Sequence, residues 1–276
     1  MIHLKSLDEI ELIRQSCLLV SKTHAHVASV LKPGMTGLEI DRMAEEFIRD
    51  NGGVPAFKGY QGFPGTLCIS PNECVVHGIP SNKEFTETDM ISVDCGVLMN
   101  GYFGDSAYTY AMPAVDDDTM HLLNVTNESL YYGIEEAKVG KRIGDISHAI
   151  QKHAEEAGFS VVRELVGHGI GKNLHEPPEV PNYGKKGRGP KIQSGLVVAI
   201  EPMINMGVKQ VRQMNDGWTI VTKDGKPSAH YEHTIAVLED KTMLLSDHGL
   251  IEQAIKNNPE IRHLSLKNSI FALQNF

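Results

Sequence analysis

Apolar residues first recur at helical spacing, at Ile10, Ile13, Cys17, Val20, Val27 and Leu31. Ser6 and Glu9 form a capping box ahead of this run and Lys32-Pro33-Gly34 stops it, which predicts one long amphipathic helix. Thr36 and Glu39 open a second helix, with Ile40, Met43 and Phe47 as its expected buried stripe and Gly52-Gly53 as its exit. Strand-like runs follow at Cys68-Ile69-Ser70 and Cys74-Val75-Val76-His77. Across residues 91–108, two β-branched and aromatic runs then flank Asn100-Gly101, the dipeptide that best fits a two-residue type I′ hairpin turn. Such a turn pairs Met99 with Tyr102 and, counting outward, Gly96 with Asp105 and Asp94 with Ala107. Asp94 and Asp105 then lie on one sheet face as diagonal neighbours. Beyond Ala111-Met112-Pro113, the cluster Asp116-Asp117-Asp118 marks a connection and favours the start of another helix.

The pattern then returns. Lys32-Pro33-Gly34, Ile40 and Gly52 have counterparts 106 residues later in Lys138-Val139-Gly140, Ile146 and Gly158, and Asp94 has one 107 later in Glu201. A duplicated helix-helix-sheet unit is expected, with halves at about 6–113 and 114–245 inside one domain spanning 1–249. Residues 250–276 carry Ile251, Ile255, Ile261, Leu264, Leu266, Ile270, Phe271 and Phe276, too apolar a set for a disordered linker. This extension is expected to pack on the body or on a partner.

With 276 residues, 41% of them hydrophobic and 22% charged, the chain reads as an ordinary soluble globular protein. Its net charge of -9 argues against a protein that coats nucleic acid. No run approaches the ~18 apolar residues of a membrane span, and the charged N-terminus lacks a signal-peptide core, so a cytoplasmic location is expected. The four cysteines form no CxxC pair and are expected to be reduced packing residues. A monomer is expected.

The hairpin carries the first candidate chemistry. Two neighbouring aspartates repel, and either one takes up a proton or a divalent cation coordinates both. A pair of solvated aspartates on an open sheet face is an equal alternative on this fragment alone. The second half adds His168 and His175 in a Gly-rich run, seven residues apart and so not at a helical zinc spacing; a loop crossing a cleft fits them better. Glu201 ends the apolar run before Pro202, and Glu232 lies within Tyr231-Glu232-His233-Thr234, expected as an alternating strand. Each of these residues alone reads as surface or satisfied core. Together, unpaired carboxylates on buried-looking strands are costly without a cation.

The ordered set VHGIP at 76–80, Asp94 with Asp105, GHGIGKNLHEPP at 167–178, AIEPM at 199–203 and SAHYEHT at 228–234 closely resembles type I methionine aminopeptidase, over roughly residues 3–240. The resemblance implies an α+β pita-bread fold, in which two pseudo-symmetric halves surround a dinuclear metal site. It implies removal of the initiator methionine from nascent polypeptides. The implied metal ligands are Asp94, Asp105, His168, Glu201 and Glu232, with Asp105 and Glu232 bridging two ions and Asp94 chelating one. Such a hard, oxygen-rich set suits manganese, iron or cobalt, with zinc also allowed. By the same resemblance Glu201 moves the proton of the attacking water to the leaving amine, His175 donates to the carbonyl oxygen and His77 contacts the scissile amide. The implied methionine pocket is Phe57, Tyr60, Phe63, Cys68, Leu174 and Trp218; by spacing alone Trp218 would read as a core anchor.

The pattern departs from the family at Leu165, where an aromatic is usual, at Phe103 in place of a histidine, and at His230 in place of a glutamine. Asn72 and Ser228 match positions that hold a monovalent cation in some relatives. Lys185, Lys186, Arg188 and Lys191 crowd a Gly-rich loop that is either simply solvated or, given substrates emerging from ribosomes, a contact to ribosomal RNA. Two other functions stand beside the aminopeptidase. One is a Xaa-Pro dipeptidase of the same fold, which usually carries an added N-terminal domain; the other is a non-catalytic binding protein on this scaffold, which tends to lose ligands.

Overall fold

A computed structural model describes residues 2–265. The first half opens with α1 (Leu7–Val30) and α2 (Gly37–Asp50), each headed by the expected capping box, from Ser6 with Glu9 and Thr36 with Glu39. The α1 stripe is buried as its spacing predicts. On α2 the fully buried positions are Ile40, Ala44 and Ile48, whereas Met43 and Phe47 are half-buried. The stripe runs in strict i, i+4 steps against the sheet, which turns Phe47 to the rim, where it stacks on His26 of α1 at 4.8 Å.

Short β1 (Val54–Pro55), β2 (Leu67–Pro71) and β3 (Cys74–Val76) precede the long hairpin of β4 (Met90–Met99) and β5 (Tyr102–Ala111). Asn100 and Gly101 both have positive φ, 54° and 79°, as a type I′ turn requires. The register is the expected one, with Met99 opposite Tyr102, Gly96 opposite Asp105 and Asp94 opposite Ala107. Strand β4 is the hub of its sheet, bonded to β5 on one edge and to β1 and β2 on the other.

The second half repeats the plan. Helix α3 (Asp117–Glu136), capped by Asp116, and α4 (Ile143–Glu156) end 106 residues after α1 and α2, and α4 also starts 106 after α2. Gly34 and Gly52, at φ 84° and 80°, are matched by Gly140 and Gly158 at 90° and 88°, so the same left-handed exits recur at the same offset. After β6 (Ser160–Val161) come β7 (Val166–Gly169), β8 (Glu176–Pro181), β9 (Leu196–Ile200) and β10 (Met203–Asn205). The chain continues through β11 (Val211–Gln213), β12 (Ile220–Thr222), β13 (Ser228–His230), β14 (His233–Val237) and β15 (Thr242–Leu244) to α5 (His248–Lys256). A five-stranded sheet runs β15-β14-β9-β7-β8, with smaller sheets β13-β10-β6 and β11-β12-β3 beside it.

The expected alternating strand around Glu232 is instead broken. Tyr231 and Glu232 separate β13, paired with β10, from β14, paired with β9, and residues 228–237 are buried on both faces. The reason is a seam between the halves. At the break the Glu232 N–H donates to the Ala107 carbonyl of β5 at 2.9 Å, Thr234 Oγ1 donates to the Asp105 carbonyl at 2.8 Å, and Tyr231 OH donates to that of Thr109 at 2.9 Å.

Of the extension, Ile251, Ile255 and Ile261 are buried in the main core and α5 packs on α1. Leu266, Ile270, Phe271 and Phe276 lie outside the described residues. All four cysteines are buried thiols. Among the described residues no helix is long and apolar enough to cross a membrane.

At Gly104 of β5 the sheet touches α1 so closely that a Cβ would overlap the backbone of Ser16 and Cys17. Gly104→Ala is therefore expected to lower unfolding free energy by about 1–3 kcal/mol, measured by urea denaturation; an unchanged midpoint would show that α1 can move aside.

Candidate active site and metal centre

Four backbone segments converge at the seam. Asp94 and Asp105 come from the hairpin, His168 from β7, Glu201 from the residue after β9, and Glu232 from the break between β13 and β14. His168 therefore stands on a short strand rather than a loop, because Gly167 and Gly169 let β7 lie against the backbone of Ala199 and Pro177. His175 does sit on the loop entering β8, as the glycine-rich spacing suggests.

His168 Nε2 lies 3.8 Å from Asp105 Oδ2 and 3.6 Å from Glu201 Oε1. Ligand atoms of Asp105, His168 and Glu232 all fall within 4.8 Å of one another. Asp94 Oδ1, Asp105 Oδ1 and Glu232 Oε1 are buried without a hydrogen-bond partner. Burial pushes Asp94 up to about 7 and Glu201 to about 8, and it drives Asp105 and Glu232 well above the carboxylate range, with their mutual repulsion adding to the effect. Burial also holds His168 down to about 4, so its ring is neutral and free to act as a ligand. Orphaned oxygens, crowded like charges and a neutral imidazole together form a donor set that fits divalent cations.

All the residues expected at the site, from Phe57 to Glu232, line one cavity of about 200 Å³. Phe57, Phe63, Cys68 and Leu174 are buried in its apolar wall, and Trp218 meets Phe63 edge to face at 5.2 Å. Asp216 Oδ1 accepts from the Trp218 and Thr219 N–H groups, a turn that aims the indole inward rather than into the core. At the mouth, Tyr60 OH lies 2.9 Å from His175 Nδ1, and the His175 ring stands edge-on to His168 at 4.4 Å. His77 is held at φ 58° just before Gly78, whose carbonyl accepts from Ile69 N–H and whose N–H donates to Ser70 Oγ. Non-glycine residues in this left-handed region carry strain that the surrounding bonds must hold, as the Gly78 bonds do here. Burial lowers His77 to about 4, so it too is neutral.

Gln61, at φ 48°, also lines the cavity although it belongs to none of the sequence motifs; its setting between Tyr60 and Gly62 is the available signal. Of the departures, Leu165 and Phe103 only pack on apolar neighbours. His230 is different, with Nε2 3.5 Å from Glu201 Oε2. Asn72 and Ser228 are joined directly, Ser228 N–H donating to the Asn72 carbonyl at 2.9 Å. Lys185, Lys186, Arg188 and Lys191 are exposed on a loop pinned to α4, where Asp145 Oδ1 accepts from Gly187 N–H and Arg142 Nη1 donates to the Gly189 carbonyl.

Residues 11–239 match the model of metallopeptidase family M24, and the chain belongs to that family. Among its relatives, the methionine aminopeptidase 1 of Bacillus subtilis is 49% identical over 239 residues, which cover 87% of this chain and 96% of that protein. The crystal structure of methionine aminopeptidase from Thermotoga maritima superposes with a TM-score of 0.88 at 42% identity, over 89% of this chain and 99% of that one. A Pyrococcus horikoshii prolidase shares the fold at 22% identity and a TM-score of 0.71, and the match covers 63% of its length. The α+β pita-bread architecture with two pseudo-symmetric halves is thus that of the family.

A raised carboxyl pKa means that the folded chain keeps a proton the unfolded chain has released. Metal-free protein is therefore expected to lose stability as pH climbs from about 4 through about 8, the span set by Asp94 and Glu201, and added divalent cation should cancel that loss. Thermal midpoints measured at half-unit pH steps test this, and a flat metal-free profile would contradict it.

Proposed function

We infer that this chain removes the N-terminal methionine from nascent polypeptides as a metal-dependent hydrolase. The activity is that of a methionyl aminopeptidase, as in the B. subtilis and T. maritima relatives. The observation that carries the reading is the meeting, in one cavity of about 200 Å³, of a donor set suited to cations with an apolar wall of Phe57, Phe63, Cys68, Leu174 and Trp218.

In this reading Asp94, Asp105, His168, Glu201 and Glu232 hold two divalent ions, with manganese, iron, cobalt and zinc all compatible with one nitrogen and several carboxylates. Bound there, the ions supply an activated water and polarise the substrate carbonyl. Glu201, whose carboxylate lines the cavity, would take a proton from the attacking water and return it to the leaving amine. Tyr60 OH and His175 Nδ1 share a hydrogen bond of 2.9 Å, and with the hydroxyl as donor the neutral ring would carry its proton on Nε2 and offer it to the developing oxyanion. His77, neutral and fixed by its backbone, contacts the scissile amide. Phe57, Tyr60, Phe63, Cys68, Leu174 and Trp218 would receive the methionine side chain, with the substrate's free amino group at the carboxylate end of the cavity, which would restrict cleavage to the first residue. A monovalent cation beside Asn72 and Ser228 is a lesser part of the reading, because both ends of the Asn72 amide already serve Met90 and Asp89. The cytoplasm, where new chains emerge and buried thiols stay reduced, is the compartment that fits.

Purified protein supplied with manganese or cobalt is expected to release methionine from Met-Gly-Met and to leave a Xaa-Pro dipeptide intact. Cleavage of the Xaa-Pro peptide alone would favour the dipeptidase, and no cleavage of either by metal-loaded protein would favour a binding protein. Asp105→Asn and His168→Ala should each lower kcat by about 100-fold or more with the thermal midpoint little changed; near-normal turnover in either would remove that residue from the ligand set.

The exposed cluster Lys185, Lys186, Arg188 and Lys191 supports contact with ribosomal RNA on an otherwise acidic protein. Reversing these charges should abolish salt-sensitive co-sedimentation with ribosomes while methionine release from short peptides continues; unchanged co-sedimentation would leave the loop merely solvated.

A further inference from the structure

We propose that His248, at the head of α5, is a positioning residue for the metal centre, and that residues 248–265 strap it in place. The proposal rests on the reading of Glu232 and Asp105 as ligands. Glu232 occupies the two-residue break between β13 and β14, where its carbonyl has no place in a strand ladder. Two side chains take over that duty. Ser106 Oγ, next to Asp105, donates to the Glu232 carbonyl at 2.7 Å, and His248 Nε2 lies 3.0 Å from the same oxygen and 3.2 Å from Ser106 Oγ.

His248 Nδ1 is buried with no hydrogen-bond partner, so a neutral ring that keeps its proton on the other nitrogen leaves no buried N–H unsatisfied. Its one proton belongs on Nε2, since the carbonyl facing that nitrogen can only accept. The ring is wedged by stacking on His233 at 3.7 Å and by the edge of Tyr108 at 5.2 Å. One imidazole thus ties together the backbone of Glu232 and the neighbour of Asp105, across the seam between the halves.

What holds His248 is the segment that follows, which lies beyond the residues matched by the family model. Ile251, Ile255 and Ile261 anchor it in the core. Asn258 Nδ2 donates to the Ala28 and Leu31 carbonyls at 2.8 Å each, closing the end of α1. Arg262 N–H donates to the Ala111 carbonyl at the end of β5, its guanidinium to Val115 and Asp117, and Ser265 N–H to Asn124 of α3. The segment therefore touches both halves and the connection between them.

Full-length His248→Leu and His248→Gln separate positioning from packing, because the glutamine amide can replace the Nε2 donor and leucine cannot. Manganese(II) affinity of metal-stripped protein, read by calorimetry, is expected to fall about 10–100-fold in His248→Leu and to return to within about threefold of the parent in His248→Gln. The kcat for Met-Gly-Met should fall with it while KM holds. An affinity within about twofold of the parent in His248→Leu, whatever its thermal midpoint, would overturn the proposal. Should His248→Leu fail to fold, Ser106→Ala and the double variant Asn258→Ala with Arg262→Ala decide. Weakened manganese binding in both supports the strap, and parental affinity in both rejects it. A parent protein that itself binds no manganese would instead sink the ligand reading.

Discussion

Four carboxyl groups buried around one imidazole are the constraint on which the rest of the structure depends. Each would be cheap to keep at the surface, and each is costly where it stands. Without a cation the cluster answers by holding protons, and that answer leaves buried oxygens of Asp94, Asp105 and Glu232 with nothing to bond. A chain that tolerates such a cost needs a compensating ligand, and divalent metal is the ligand whose charge and coordination match the set. The stability that offsets the cluster comes from the surrounding core, where α1, the hairpin and the second sheet pack without exposing these strands.

The duplicated scaffold makes the constraint soluble. Neither half holds all five of these side chains, so the cluster exists only along the seam where β5 meets residues 230–234. That seam is made of backbone and hydroxyl bonds rather than a continuous strand ladder, and this is why the chain breaks at Glu232. The break frees the Glu232 side chain to line the cavity while its amide stays satisfied by Ala107. Close approach elsewhere is bought with glycines: Gly104 admits α1, and Gly167 and Gly169 admit β7. The cavity is shaped by a local turn at its rim, where Asp216 turns Trp218 inward.

Much of this was legible in the chain because the signals were local. Capping boxes, the Asn100-Gly101 turn and the hairpin parity each depend on residues within a few positions, and the structure repeats them without a shift in register. The 106-residue offset was legible because identical left-handed exits leave identical glycines. The buried stripe of α2 departs from its spacing because helical periodicity names a face but not its centre, and packing on the body selects Ala44 and Ile48 over Met43 and Phe47. The break at Glu232 was invisible because its cause, Ala107, lies over a hundred residues away.

By itself the sequence determined the elements, the pairing of Asp94 with Asp105 on one face, and, through its motifs, the family of the site. Only the tertiary structure decided that Glu201, His168 and Glu232 reach that face, that Trp218 lines the cavity, and that the buried His248 braces Glu232 from behind. The division has a physical origin. Turn and helix signals are short-range consequences of backbone sterics and hydrogen bonding, whereas a buried charge cluster and the groups that brace it are set by which distant surfaces the core brings into contact.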